Sequence, residues 1–148
     1  MTNVGGAGGA SAPDAVLLDT DVFSNLLRGG ERAAPWIPVL AGRYTLVSFI
    51  TAGELQAWAE LKNWGDRRRD DLAKKLASTV IVPYDKQLTY EYGRVVADAT
   101  KAGHSLAGST HANDRWIAAT ARLLGVPLLT GNRRHFEGLP GLDMADAP

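Results

Sequence analysis

Short apolar runs alternate with longer helical stretches along most of this chain, and that alternation limits the fold more than any other feature. The runs are AVLL at 15–18, RYTLVSF at 43–49, TVIVPY at 79–84 and VPLLT at 126–130. Their aliphatic, β-branched and aromatic content suits strands buried on both faces. Between them, helical spacing predicts a short helix over 22–28, stopped by Gly29-Gly30. Residues 31–40 contain Pro35 and Pro38 and suit a short helix or turn. Further helices are expected over 51–63, 66–77, 85–103 and 114–125, with a polar loop at 104–113 and a turn or short helix at 131–136. Strands alternating with helices build an α/β domain, with a central, mostly parallel sheet flanked by helices. A chain of 148 residues suits one such domain, with a core of useful size. Residues 1–14, rich in Gly, Ala and Ser, read as a flexible tail before a domain at 15–145. They have neither the basic start nor the apolar centre of a secretory signal.

In a parallel sheet, functional groups gather beyond the carboxyl ends of the strands. The first strand ends there in Asp19-Thr20-Asp21, two carboxylates where a turn more often places Gly or Asn. Glu54 heads a helical stripe of Ala57, Trp58 and Leu61, and Asp114 heads one of Ile117, Ala118 and Ala121. Arg115, Ala119 and Arg122 fall on a second face, expected to be wetter. Asn132 follows the last strand. Each residue also has a plainer use. Thr51-x-x-Glu54 fits a capping box, Asp114 suits the positive end of a helix dipole, and Gly131-Asn132 suits a turn.

The combination is more informative than any member. Helix starts and strand carboxyl ends lie on one side of such a sheet, so Asp19, Glu54, Asp114 and Asn132 are expected to converge. Gathered carboxylates repel and raise one another's pKa unless a cation sits among them. The chain has no cysteine, which excludes disulfides and thiolate metal sites. Oxygen donors favour a hard ion, Mg²⁺ or Mn²⁺.

At this point LLDTDVFSNLL, TAGELQAW, DRWIAATARLLGVPLLTGNRRHF and LPGL, in that order, resemble the successive motifs of PIN-domain ribonucleases, and in particular VapC-type toxins of bacterial toxin–antitoxin pairs. The likeness runs from about residue 15 to residue 142. It implies an α/β sheet, Mg²⁺ or Mn²⁺ dependence, and cleavage of RNA phosphodiester bonds to 5′-phosphate and 3′-hydroxyl ends. It also implies a cognate VapB-like antitoxin and a homodimer. On this likeness Asp19, Glu54 and Asp114 are catalytic metal ligands. Asn132 takes a fourth position that is often Asp, and Asp21 stands where Asn is frequent. Arg115, Arg133 and Arg134 flank the site as candidates for RNA phosphates, and His111 and His135 either support it or serve only the fold.

Two rival readings use the same residues. LLDTDVF also fits the opening of haloacid-dehalogenase-type phosphatases, with Asp19 as nucleophile, Asp21 as acid and Thr130 as phosphate-binding hydroxyl. That family also needs a lysine and a late acidic pair, and GNRRHFEGL supplies neither. A non-catalytic PIN module is the other rival. No P-loop, H-E-x-x-H or G-x-S-x-G motif occurs, and GHSLAG misses the last by one position.

Net charge is zero, from 16 basic and 16 acidic residues, so RNA binding requires a local patch. The interspersed charges of DRRRDD and KK at 66–75 suit a solvated helix face. No apolar run approaches the roughly 18 residues of a membrane span, and the absence of cysteine fits the cytoplasm. Leu26, Leu27, Trp36, Ile37, Trp58, Leu61 and Trp64 are expected mostly in the core, with some lining a groove for an antitoxin helix.

Overall fold

The first strand, β1 (Ala15–Leu18), is the hub of the sheet. It pairs in parallel with β2 (Tyr44–Ser48) on one side and β4 (Leu128–Leu129) on the other, while β3 (Val80–Val82) extends the sheet beyond β2. The order is β3-β2-β1-β4, and all pairings are parallel. This computed structural model describes residues 14–148, so the tail expected over 1–14 lies, apart from Asp14, outside the described residues.

The register aligns Leu18 with Val47 and with Leu129, which brings the carboxyl ends of β2, β1 and β4 level to within one residue. Alternate side chains leave opposite faces. Leu17 and Leu128 join Val95, Ile117, Ala118 and Phe136 in one core layer. Val16, Leu18 and Leu129 join Phe23, Val47, Leu55 and Leu72 in the other. Helices α6 (Lys86–Ala102) and α7 (Ala112–Leu124) supply the first layer. Helices α1 (Thr20–Arg28), α4 (Phe49–Leu61) and α5 (Asp66–Ala77) supply the second.

Local chemistry sets the helix ends. Asp19 caps α1 by accepting from Thr20 N at 2.7 Å, so the helix begins at Thr20, two residues before the expected start. Gly29, at φ 70°, closes it in a conformation that non-glycine residues rarely adopt. The 31–40 stretch forms two single turns, α2 (Gly30–Ala33) and α3 (Ile37–Leu40). The expected polar loop holds two 3₁₀ turns, Ser105–Ala107 and Ser109–His111. The last helix is α8 (Arg133–Phe136). β4 is shorter than VPLLT suggests, and its outer edge is occupied by the chain's end: Leu128 N donates to Asp143 O and Ala145 N to Leu128 O.

Two expectations from helical periodicity, for α4 and for α7, are corrected. The buried stripe of α4 is Thr51, Leu55 and Ala59, not Ala57, Trp58 and Leu61, and Leu61 is 83% exposed. Of the large apolar residues expected mostly in the core, Trp36 and Trp64 are buried, and Ile37 and Leu61 are exposed. On α7 the face expected to be wet is packed: Arg115 and Ala119 are buried. Arg122 pairs with Glu91 at 2.7 Å and Asp98 at 2.9 Å, tying α7 to α6.

Candidate metal centre and active site

Asp19 and Thr130 are the residues immediately past β1 and β4, two adjacent strands that run the same way. Their side chains meet: Thr130 Oγ1 donates to Asp19 Oδ2 at 2.7 Å, while Thr20 N donates to Asp19 Oδ1. Asp19 is only 7% exposed. Burial pushes its pKa up to about 7, helped by the charges of Asp21 and Asp114 and opposed by the hydrogen bonds from Thr130 and Thr20.

Glu54 comes from α4, the helix that follows β2. Its Oε1 accepts from Thr20 Oγ1 at 2.7 Å, and Thr20 Oγ1 lies 2.9 Å from Thr51 Oγ1. The capping-box use of Glu54 is excluded. The helix begins at Phe49 with Ser48 as cap, accepting from Ile50 N at 3.2 Å, so Thr51 and Glu54 both lie inside it. Asp114 sits in the first turn of α7, where the dipole favours it, but His111 holds the cap position. Asp114 Oδ2 is 3.0 Å from His135 Nδ1 and 3.8 Å from His111 Nδ1.

Asp19, Asp21, Glu54 and Asp114 line one cleft, with Asn132 and His135 on its wall. Asp21 is exposed, and its Oδ1 accepts from Val22 N at 2.8 Å. A Cβ on residue 131 would come 2.9 Å from Asp21 Oδ2, so Gly131 is what lets the turn after β4 approach this carboxylate. Asn132 places its backbone N on Thr130 Oγ1 at 2.9 Å. Among the described residues, Asp19, Asp21 and Glu54 take part in no ion pair, and Asp114 faces only histidines. Oxygen donors with that much uncompensated charge fit a hard divalent cation.

Sequence reasoning underweighted His135. The signal was its place three residues after Asn132, one turn along a short helix that leaves the sheet edge. The phosphatase use of Asp19 finds no lysine among the residues lining the cleft, and the Thr130 hydroxyl it would require is bonded to Asp19 itself.

The arginines divide. Arg115, expected at RNA phosphates, is buried, and this is corrected. Its Nε donates to Tyr92 Oη at 3.0 Å and its Nη1 to Leu106 O at 3.0 Å and to Gly108 O. It fastens the 3₁₀ segment beneath α7. Arg133 is half-buried and donates to Ala145 O at 2.7 Å, which ties it to the chain's end. Arg134 alone of the three is exposed. Arg115→Lys should therefore cost about 1–3 kcal/mol, because Lys cannot reproduce the forked bonds and leaves buried carbonyls unpaired. Urea unfolding checks it: stability matching the parent would return Arg115 to the candidates for RNA contact.

The PIN domain family matches residues 16–142. Ribonuclease VapC2 of Haemophilus influenzae is 34% identical over 91 residues, covering 62% of this chain and 66% of its own length. The aligned part is thus just under two thirds of that relative. Among solved structures, VapBC2 from Rickettsia felis, bound to a DNA fragment from its promoter, superposes with TM-score 0.74 at 19% identity, over 90% of this chain and 99% of the other. FitAcB from Neisseria gonorrhoeae superposes with TM-score 0.66 at 26% identity, over 88% and 96%. The family match begins in β1 and ends beyond α8, taking in every strand of the sheet and every carboxylate of the cleft. The chain belongs to the PIN-domain family.

Proposed function

We propose that this protein is a Mg²⁺- or Mn²⁺-dependent endoribonuclease, the toxin of a VapBC-type toxin–antitoxin pair. The observation that carries the reading is the convergence of Asp19, Glu54 and Asp114 in one cleft, with no cationic side chain among the described residues paired to Asp19 or Glu54. The relative named as a ribonuclease supports it.

Asp19, Glu54 and Asp114 would hold the ion, which when bound supplies Lewis acidity and offsets charge on the scissile phosphate. The remaining work falls to the protein. Thr130 and Thr20 fix the Asp19 and Glu54 carboxylates through 2.7 Å bonds, so those groups need little reordering as substrate arrives. Asn132, on the cleft wall, orients water, and Arg134 contacts an RNA phosphate. Asp21 adds negative charge where Asn132 brings none.

The proposed partners are an RNA substrate, a VapB-like antitoxin and a second copy of the chain. Exposed Leu61 beside half-buried Trp58 supplies apolar surface of the kind an antitoxin helix covers. No helix among the described residues is long and apolar enough to cross a membrane, and the proposed site of action is the cytoplasm.

The test is cleavage of defined structured RNAs by the purified chain with Mg²⁺, Mn²⁺ or EDTA, with both ends of each cut mapped. Cuts should need the ion and leave 5′-phosphates. Undiminished cleavage in EDTA, or cyclic-phosphate ends, would sink the reading.

A further inference from the structure

We propose that His111, Asp114 and His135 form a second metal site, one that takes a borderline transition-metal ion such as Zn²⁺ or Co²⁺. Each residue offers one ligand atom, and the three atoms lie within 4.8 Å of one another. A tetrahedral ion with bonds of about 2.0–2.1 Å holds its ligands roughly 3.3 Å apart. The distances from Asp114 Oδ2, 3.0 Å to His135 Nδ1 and 3.8 Å to His111 Nδ1, bracket that spacing. The imidazole rings stand nearly perpendicular, at 83°, with centroids 4.7 Å apart.

His111 has no other evident task. It occupies the cap position of α7, yet its side chain accepts no capping hydrogen bond. All three residues are half-buried, at the mouth of the cleft. They come from two pieces of chain: the cap and first turn of α7, which supply His111 and Asp114, and α8, which supplies His135.

The donor set selects the ion. Two imidazoles and one carboxylate suit Zn²⁺, Co²⁺ or Ni²⁺, whereas Mg²⁺ avoids nitrogen. Three protein ligands leave a fourth position for water or substrate. The Asp19 and Glu54 side of the cleft offers oxygen only. Asp114 is common to both sets, so a borderline and a hard ion would be neighbours across it. In the ion-free protein, the hydrogen between His135 Nδ1 and Asp114 occupies the space the ion would take. A neutral imidazole frees Nδ1 by moving that hydrogen to Nε2.

The inference does not depend on RNA cleavage, and its test uses the metal alone. The full chain is titrated with Co²⁺ and followed by visible absorption, where four-coordinate Co²⁺ shows intense bands. His111→Ala and His135→Ala should each weaken Co²⁺ binding by about a hundredfold or more, beyond the loss typical of an outer-shell partner. Asp19→Asn should change it by less than about threefold, and excess Mg²⁺ should not erase the bands. His111→Asn, which keeps a polar side chain of similar reach, repeats the test should the alanine variant unfold, with circular dichroism reporting the fold. Bands that persist in the folded His111 variants would overturn the site, because a bystander at 3.8 Å can be removed freely. So would bands that vanish in Asp19→Asn, or no four-coordinate spectrum at all. Failure to cut RNA with intact Co²⁺ bands would refute the nuclease reading alone.

Discussion

Asp114→Asn should stay folded and lose RNA cleavage by about a thousandfold or more, equivalent to about 4 kcal/mol of transition-state stabilisation. The substitution keeps shape and removes one negative charge. Asparagine Oδ1 can still accept from His135 Nδ1, so the local hydrogen bond survives. The loss to the fold is the favourable interaction of a carboxylate with the helix dipole, about 0.3–1 kcal/mol. The loss to function is larger, because Asp114 is a charged ligand that both proposed ions share. Single-turnover cleavage rates beside thermal melts separate the two effects. Cleavage at the parent rate would remove Asp114 from the active site.

The second large effect concerns Asp19 and runs in opposite directions with and without metal. Its carboxyl titrates near 7 in the folded chain, against 3.8 ordinarily. Below about pH 4 both folded and unfolded chains hold the proton, and Asp19 contributes nothing. As pH rises towards 7, the unfolded chain gives up the proton while the folded chain retains it. The folded state therefore loses stability across that window, by up to about 4 kcal/mol in total, and the loss is complete above pH 7. Asp19→Asn has no proton to lose. Its Oδ1 can still accept from Thr20 N, and its amide can donate to Thr130 Oγ1. In EDTA, at a pH of about 8, the variant should thus melt above the parent, and the gap should close towards about pH 4. Mn²⁺ should reverse the order. At a hundredfold excess over Kd the parent gains about 2.7 kcal/mol, and the variant, lacking a ligand, gains less. A parent melting temperature indifferent to both pH and millimolar Mn²⁺ would mean that no cation site is preformed around Asp19.

The sheet edge was legible because two independent periods pointed to it. Apolar runs of four to seven residues marked the strands, and the polar residues after the first and last of them, Asp19 and Asn132, had to lie at their carboxyl ends. Helix interiors were less legible. A capping box was read at Thr51, but Ser48 offers the same chemistry one turn earlier, and the strand before it ends at Ser48. Periodicity failed on α7 because that helix is enclosed on most sides: Ile117, Ala118, Ala119, Thr120 and Ala121 are all buried, so no wet face remains for Arg115. The run of small residues was the available signal, since it lets neighbouring elements approach from several directions. Arg115 could not be placed from sequence at all. Its partners, Tyr92, Leu106 and Gly108, are set by how α6 and the 3₁₀ turns pack.

The hydrogen bond between Thr130 and Asp19 spans 111 positions of chain. It joins the first strand to the last, and His135 arrives later still. Asp19 and Glu54 leave the ribosome early, but the wall that orients and completes them does not exist until β4 has slotted beside β1. Closing so long a loop is slow and returns little until the final contacts form. The carboxylate cleft is therefore assembled only after β4 has joined the sheet. Until β4 is made and paired, Asp19 lacks its Thr130 partner, and the cleft lacks the wall that Asn132 and His135 supply.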